Sequence, residues 1–272
     1  MRHFALFAVF ALLVFVFPAN SEQQTAVSAS SATPPPAARP LSPQQTAELR
    51  ADIMMARKEY AAAIDAYLDL LKNDPRDAGV LNKAGVAYQQ LGAYNSAANY
   101  YKRSEKANKH LSNPVNNLGT LEYGLRHYSK SVNYYKRALK LGATQATVYS
   151  NLGYAYYSEK KYELAMDCFN KAVALDPTIF DNHGGSGGTI MQQRTAPDPG
   201  TLNFFLAKSY AKAGDAEHTA HFLKLARDYG YKDIVSVNKD KDFALVIKDP
   251  RVQDVLQNRP SFDNVDAKPA EN

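Results

Sequence analysis

The chain has 272 residues, of which 45% are hydrophobic and 22% are charged, and its formal net charge is +5. This composition is ordinary for a soluble helical protein, and the length is enough for one elongated repeat domain with tails. The single cysteine, Cys168, leaves no partner for an intramolecular disulfide, even in an oxidising compartment. It stands beside Phe169 in a predicted packed helix, which favours a half-buried small hydrophobe over a reactive thiol.

The N terminus has the pattern of an export signal. Arg2 and His3 precede an apolar run, residues 4–17, and small residues follow as far as Ser21. Because a bilayer span needs roughly 20 apolar residues, this shorter run predicts a cleaved signal peptide over residues 1–21. No cysteine follows the run, which argues against lipid attachment. We expect an exported protein, periplasmic or secreted; the alternative is membrane anchoring by an uncleaved N-terminal segment.

Residues 22–41 are rich in Ser, Ala, Thr, Gln and Pro and include three consecutive prolines. Such a segment cannot bury enough apolar surface to offset the entropy lost on ordering, so we expect a disordered spacer. The folded part is expected to begin at Ser42, which is followed by Pro43 and, three residues on, by Gln45. This is a capping-box arrangement at the start of a helix.

Four units follow one another in the same phase over residues 42–179. Small residues recur at unit positions 8 and 20, where they let two helices approach closely. Aromatic residues recur at positions 17 and 24, where rings are expected to fill the gap between neighbouring helix pairs. The units begin at Gln44, Ala78, Ser112 and Ala146, and the recurring sets are Ala51, Gly85, Gly119 and Gly153; Ala63, Ala97, Ser131 and Ala165; Tyr60, Tyr94, Tyr128 and Tyr162; and Tyr67, Tyr101, Tyr135 and Phe169.

The fourth unit shows the internal pattern best. Tyr149, Leu152, Gly153 and Tyr156 share one helical face, a polar turn follows, and the second helix stops before Pro177. This unit resembles a tetratricopeptide repeat, whose pattern has a large residue, then Leu-Gly, Tyr, Ala, Phe, Ala and Pro. The resemblance implies an all-α, right-handed superhelical solenoid of helix pairs with a short C-terminal helical cap. We expect an exported bacterial protein of this family.

Two units depart from the pattern. Repeat 1 has Arg50 where Leu is expected and Met54 where Tyr is expected, which suits a terminal unit with one face in water. Repeat 3 has Glu122 in the slot for a large aromatic residue. Either that carboxylate is paired or the packing is looser at that point.

The register breaks after the fourth unit. Residues 180–199 contain the run GGSGG, at residues 184–188, and later prolines, which predicts an inserted Gly/Pro-rich loop. No Lys-Ser/Thr follows this run and no strand precedes it, so a phosphate-binding loop is disfavoured. Residues 200–232 then predict an atypical fifth repeat, in which Ala216 stands where the other units have an aromatic ring.

The end of the chain predicts a helical cap over residues 233–258, since the last repeat of a solenoid needs its apolar face covered. Within it we expect two short helices, at residues 240–248 and 250–257. Residues 259–272 are polar and are expected to form a flexible tail.

No cluster of acid–base or nucleophilic residues supports catalysis, so we expect a protein that is not an enzyme and needs no cofactor. His218 and His221, with His183 in the loop, could imitate a metal site. Helical phase puts the first two on the outer, solvated side of a second helix, so we expect no metal.

The resemblance implies a concave face lined by the first helix of each pair. Its predicted residues carry mostly amides and phenols, which can hydrogen-bond an extended peptide and give it apolar contact. Family members that grip a C-terminal carboxylate carry several Lys and Arg there, and here only Lys83 does, so that mode is disfavoured. The alternative is an unspecialised repeat surface. The candidate peptide-binding residues are Asn82, Lys83, Gln89, Asn116, Asn117, Tyr123, Asn151, Tyr154 and Tyr157.

A second candidate surface comes from charge. Repeats 2 and 3 hold ten Lys or Arg and only two acidic residues, a net charge of +8. Stacking the repeats would align matching cations into a basic stripe along the second helices, facing an anionic lipid, polymer or partner. The alternative is an ordinary solvated face. The stripe consists of Lys102, Arg103, Lys106, Lys136, Arg137 and Lys140.

Together these features predict a non-catalytic scaffold that binds a peptide segment of a protein partner in the concave groove and aids assembly of an envelope complex. One alternative is docking of the basic convex surface on membrane or cell-wall polymer. Another is a non-catalytic subunit of an envelope enzyme, with the inserted loop forming part of a site. Nucleic acid is not an expected partner of an exported protein, and the sequence leaves the oligomeric state open.

Overall fold

The computed structural model describes residues 40–181 and 198–257. The predicted signal peptide, nearly all of the spacer, the GGSGG run and the predicted flexible tail lie outside the described residues. The described helices are α1 (Pro43–Ala56), α2 (Tyr60–Asn73), α3 (Ala78–Gln90), α4 (Tyr94–Ala107), α5 (Ser112–Gly124), α6 (Tyr128–Lys140), α7 (Ala146–Ser158), α8 (Tyr162–Leu175), α9 (Pro199–Lys212), α10 (Ala216–Asp228) and α11 (Pro250–Gln257), with two 3-10 helices at Ile234–Lys239 and Lys241–Phe243.

The described helices form consecutive packed pairs, and the predicted all-α solenoid is confirmed. Each odd-numbered helix from α1 to α9 packs on the helix that follows it, and each pair stacks on the next. The first helices of neighbouring pairs also contact each other, α3 with α5 and α5 with α7. First helices therefore line the inner, concave side of the solenoid. Within the described ranges, no helix is both long enough and apolar enough to cross a bilayer.

Helix starts follow from capping residues in the sequence. The predicted capping box is present: the backbone N of Gln45 donates to Ser42 Oγ over 3.2 Å, and the backbone N of Ser42 donates to Gln45 Oε1 over 2.9 Å. Asp77 caps α3, Asp198 caps α9 and Asp215 caps α10, each by accepting a backbone N–H three residues on. Each such cap typically contributes about 1 kcal/mol to helix stability.

Glycine at repeat position 8 sets the distance between the two helices of a pair. A Cβ built on Gly153 would lie 2.5 Å from Cε1 of Phe169, and Gly85 stands in the same relation to Tyr101. The ring at position 24 therefore packs directly on the backbone of the first helix. Position 17 behaves differently, because it is the first residue of each second helix: Tyr94 is 60% exposed and Tyr162 is 41% exposed. The expectation that the rings at position 17 fill the gap between neighbouring pairs is wrong for Tyr94, whereas the ring of Tyr162 contacts that of Phe205 in the next pair, with centroids 5.4 Å apart.

Phe180 lies at the centre of the junction between repeats 4 and 5. Its ring contacts those of Phe169, Tyr154, Tyr210 and Phe222, with centroids 5.6 to 6.5 Å apart. The sequence placed this residue in the inserted loop, but it is a fully buried core residue. Phe180 takes the place where the next repeat would begin, so its ring seals the end of repeat 4.

The cap differs from the prediction in its first half. Residues 240–248 do not form an α-helix: a 3-10 helix at Lys241–Phe243 is followed by turns, whereas α11 coincides with the second predicted helix. Phe243 and Val246, three residues apart, are both buried, and three-residue spacing matches the three residues per turn of 3-10 structure. The segment covers α9, where Phe204 stacks on Tyr231 at 4.2 Å between ring centroids.

The buried apolar side chains form clusters of unequal size. The largest runs from Tyr123 through repeats 4 and 5 to Val255 in the cap. A separate and smaller cluster holds repeats 1 and 2 together, from Ala51 to Ala87. Two minor clusters lie between them, around Tyr101 and Val148.

Candidate functional site

Hydrogen bonds between side chains of neighbouring first helices form a ladder along the concave side. Asn151 Nδ2 donates to Asn116 Oδ1 over 3.2 Å, and Asn117 Nδ2 donates to Asn82 Oδ1 over 3.1 Å. In repeat 2, Lys83 takes the corresponding position and reaches into repeat 1. Every rung joins position 6 of one repeat to position 5 of the preceding repeat, 35 residues earlier. We call this set the concave ladder.

The ladder buries most of the predicted peptide-binding residues. Asn116, Asn117 and Asn151 have no exposed surface, and Asn82 is also buried. The amides therefore hold the repeats together and are not open to a peptide in this structure. The expectation that they line an accessible groove is wrong, because the curvature of the solenoid brings adjacent first helices within hydrogen-bonding distance. Their part in peptide binding remains a prediction.

The predicted phenols are buried as well. Tyr123 Oη lies 3.0 Å from Ser158 Oγ of the next repeat, and Tyr157 Oη donates to the backbone oxygen of Asp198 over 2.8 Å. Tyr154 packs edge-on against Phe169. These side chains therefore seal repeats 3 to 5, and their predicted role in peptide binding is likewise untested.

Lys83 and Gln89 are the predicted site residues that keep exposed surface. Lys83 Nζ lies 2.7 Å from Glu48 Oε1 and 2.6 Å from Asp52 Oδ2. Partial burial lowers the pKa of Lys83, but its hydrogen bonds and charge pairing with both carboxylates outweigh that effect and raise the pKa. Asp52 also accepts a 2.7 Å hydrogen bond from Tyr67 Oη. Lys83 is thus neutralised by two carboxylates and is poorly placed to bind a C-terminal carboxylate.

Sequence reasoning missed Glu48 and Asp52, because repeat 1 matched the repeat pattern poorly. The sequence did contain a signal for this acidic pair: Glu48 and Asp52 stand at positions 5 and 9 of repeat 1, four residues apart on one helical face. Together with half-exposed Val86 and Gln89 and with exposed Gln90, the acidic pair and Lys83 form an accessible band on the concave side of repeats 1 and 2. We call it the polar band.

The basic stripe is exposed along its whole length. Two of its guanidinium groups stack on tyrosine rings one repeat apart, Arg103 on Tyr100 at 4.8 Å and Arg137 on Tyr134 at 4.9 Å. Such cation–π contacts hold the guanidinium flat on the surface. Arg137 also pairs with Glu105 at 3.0 Å. A surface recess on α4 is lined by Asn95, Ala98, Asn99, Lys102, Arg103 and Lys106.

His218 is not on a solvated face as predicted, and this is a correction. Its Nδ1 lies 2.6 Å from Asp215 Oδ2, its Nε2 lies 2.8 Å from Asp181 Oδ2, and its ring stacks on Tyr210. Partial burial lowers the pKa of His218, but the two carboxylates outweigh that effect and raise it. Within the described residues no three His, Cys, Asp or Glu side chains form a group that could hold a metal ion. His183 lies outside them.

The structure answers two further questions that the sequence raised, one about Cys168 and one about Glu122. Cys168 is buried, and burial raises the pKa of its thiol to about 12, so the thiolate is scarce at neutral pH. Glu122, in the aromatic slot of repeat 3, lies 2.9 Å from Nδ1 of His127. Of the two interpretations, the paired carboxylate is the one found.

Comparison with known proteins gives the same family as the residue pattern. Two family models, both described as tetratricopeptide repeat, match residues 49–110 and 146–179. No curated protein sequence matches the chain.

Solved structures share the fold at low sequence identity. The type IV pilus biogenesis factor PilW is 17% identical with a TM-score of 0.51, over 78% of this chain and 98% of PilW. PilF of Pseudomonas aeruginosa is 16% identical with a TM-score of 0.50, over 78% of this chain and 86% of PilF. MamA of Desulfovibrio magneticus is 15% identical with a TM-score of 0.46, over 70% and 96% of the two chains. The matched repeats and the stacked helix pairs together show that the chain contains tetratricopeptide repeats.

Proposed function

We propose that the chain is a protein-interaction scaffold that binds an extended segment of a partner protein at the polar band of repeats 1 and 2. The observation that carries this proposal is the contrast along the concave side. Repeats 3 to 5 are sealed by buried amides and phenols, whereas Lys83 and Gln89 keep exposed surface. Among the described residues, the predicted site residues that a partner segment can reach, Lys83 and Gln89, therefore lie at the N-terminal end of the groove.

The charges of the polar band select the chemistry of the segment. Glu48 and Asp52 place two carboxylates beside a single ammonium, that of Lys83, so the band is net acidic. A segment with a Lys or Arg side chain fits this pattern, because the added cation pairs with carboxylate oxygens on the solvent side. Gln89 offers an amide that can hydrogen-bond the backbone of an extended chain.

The experiment is site-specific photocrosslinking in the native cell. A photoreactive side chain at Gln90, exposed in the polar band, is compared with one at Asn99, exposed on α4 of the same repeat. We expect one adduct from position 90 and none from position 99. A peptide from the adduct is then titrated against the wild type and the Asp52→Asn variant, and the variant should bind more weakly. Adducts only from position 99, or equal affinity for both proteins, would refute the proposal.

The cellular role proposed for this scaffold is assembly of an envelope complex. It is supported by the signal-peptide pattern of residues 1–21 and by fold analogy with a pilus biogenesis factor. At 17% identity the analogy with PilW concerns the fold alone. The envelope role therefore requires that the protein be located in the cell envelope. Fractionation of the native cell tests it: recovery of the mature chain in the cytoplasm would remove the envelope role and leave the scaffold proposal intact.

A second candidate function is supported by the basic stripe. Arg103 and Arg137 are held flat on tyrosine rings one repeat apart, so the stripe presents a regular row of cations to an acidic polymer of the cell wall. Replacing Lys136 and Lys140 by Glu should abolish salt-sensitive binding to such a polymer. The matched control replaces Lys224 and Lys232, which are exposed outside the stripe, by Glu. Equal loss of binding in both variants would show a net-charge effect and reject the stripe.

A further inference from the structure

The turns between the first and second helix of each repeat lie along one edge of the solenoid. They comprise residues 57–59, 91–93, 125–127, 159–161 and 213–215. The third and fourth turns are in contact, since Ser129 just after the third donates to Glu159 in the fourth. The cap reaches the same edge, because a Cβ on Gly214 would lie 3.9 Å from Leu245 Cδ1. We call this row the turn edge.

Large apolar side chains project from the turn edge into solvent. Leu91, Tyr94, Leu125 and Leu245 are each more than half exposed, and Tyr162 is 41% exposed. These five make up nearly half of the twelve exposed large hydrophobic side chains among the described residues. None of the twelve lies on the basic stripe. Exposed large apolar side chains therefore recur at the turns of repeats 2, 3 and 4, one or two at each, and in the adjoining cap.

Cations occupy a costly backbone position at the same edge. Lys58, Arg126 and Lys160 have left-handed φ angles of 62°, 62° and 60°, and all three are exposed. The equivalent residues in the other two turns are Gly92 and Gly214, and glycine is the unstrained choice there. The dipole of the preceding helix offsets part of the strain of a cation at its C terminus. The presence of Lys or Arg in all three non-glycine turns points to a use for the charge.

We propose that the turn edge docks the protein on an anionic lipid bilayer. Leu91, Tyr94 and Leu125 enter the interfacial region, and Arg126 and Lys160 contact lipid phosphates. The edge combines exposed apolar side chains with exposed cations, and an anionic bilayer offers phosphates beside an apolar interior. Leu and Tyr side chains suit the boundary between water and acyl chains, and long basic side chains keep their charge at the headgroups. This docking is independent of the polar band and leaves it free.

The absence of tryptophan from the chain permits a position-specific test. The Leu125→Trp variant of the full chain is mixed with vesicles of anionic phospholipid, and with vesicles whose acyl chains are brominated. We expect a blue shift of its emission and quenching by the brominated lipid. The control is Asn133→Trp, exposed on α6 away from the turn edge, whose emission should not change. Because both proteins have the same N terminus, binding through residues 4–17 cannot account for a difference between them.

The cations are tested by a second pair of variants. Arg126→Gly with Lys160→Gly relieves backbone strain, so lost binding cannot be ascribed to unfolding. We expect vesicle affinity to fall about thirty-fold, from two interfacial cations. Lys224→Gln with Lys232→Gln removes the same charge outside both the turn edge and the basic stripe and should leave affinity nearly unchanged. Equal losses in both variants would reject the turn edge as the docking site. Unchanged emission of the Leu125→Trp variant in cosedimented protein would reject lipid docking at the turn edge.

Discussion

Asn151 donates from its side-chain amide to the amide oxygen of Asn116, which is 3.2 Å away and one repeat earlier. Asn117 makes the equivalent bond to Asn82, so the same rung recurs along the concave side. Both rungs are buried, and a buried polar group that loses its partner costs more than an exposed one. The concave ladder therefore joins the repeats where a binding surface was expected.

Replacing Asn151 by Ala should lower the free energy of unfolding by about 1–3 kcal/mol, because Asn116 Oδ1 loses the buried hydrogen bond that Asn151 donates. Chemical denaturation followed by circular dichroism measures this. Asn133→Ala, at an exposed position on α6, is the matched control and should change stability little. A neutral Asn151→Ala variant would show that the rung adds nothing to stability.

Replacing Gly153 by Ala should destabilise the chain by about 1–3 kcal/mol, because the new methyl group would lie 2.5 Å from the Phe169 ring. Gly124 provides a control at the end of α5, where an added Cβ meets no atom within 4 Å. Gly124→Ala should be neutral or stabilising by up to about 1 kcal/mol. Thermal unfolding of both variants separates the effect of side-chain packing from the effect of helix propensity. Similar changes of melting temperature in both variants would contradict the packing argument.

His218 should make stability depend on pH. Its pKa is raised in the folded chain, so its pairing with Asp181 and Asp215 is fully present below the ordinary histidine pKa and is lost as pH rises through the folded value. The His218→Gln substitution should therefore lower the free energy of unfolding by about 0.5–1 kcal/mol more at pH 5.5 than at pH 8.5. Arg251, which pairs with Glu217, also lies close to this cluster. A pH-independent loss would show that the histidine ring acts only by stacking on Tyr210.

Replacing Arg126 by Gly should raise the free energy of unfolding by about 1 kcal/mol, because glycine adopts the left-handed conformation without strain. Arg126→Ala is the control, since it removes the same charge but keeps the strain. We expect only the glycine variant to gain stability in a denaturant titration. A gain in both variants would mean that charge, and not backbone conformation, limits stability at this turn.

The repeat period was sufficient to predict most of the fold. Helices begin at Ala78, Ser112 and Ala146, three of the four predicted unit starts, and α1 begins one residue before the other, because spacing and position-specific residue size define each pair. Accessibility of the concave side was not predictable in the same way. Whether an amide at position 6 faces a ligand or its neighbour depends on how tightly successive pairs curve, which is a property of the stack and not of one repeat.

Two local irregularities were also not predictable from the sequence. Phe180 stands in a segment rich in glycine and proline, and only the aromatic rings of two repeats around it show that it is core. The 3-10 segment at Lys241–Phe243 has the composition of a short α-helix, and its form depends on how Phe243 and Val246 meet the last repeat. Both features arise from tertiary packing at places where the repeat period is interrupted.

The unequal division of the core has a consequence for dynamics. Repeats 4 and 5 share one large cluster with the cap, whereas Ala51 to Ala87 form a small cluster of their own. In a solenoid, where each repeat contacts only its neighbours, such an arrangement lets the weaker end open locally while the rest stays folded. Amide hydrogens of α1 and α2 should thus exchange with solvent sooner than those of α9 and α10. A partner held at that end would slow its exchange, so occupancy could be followed by hydrogen exchange alone.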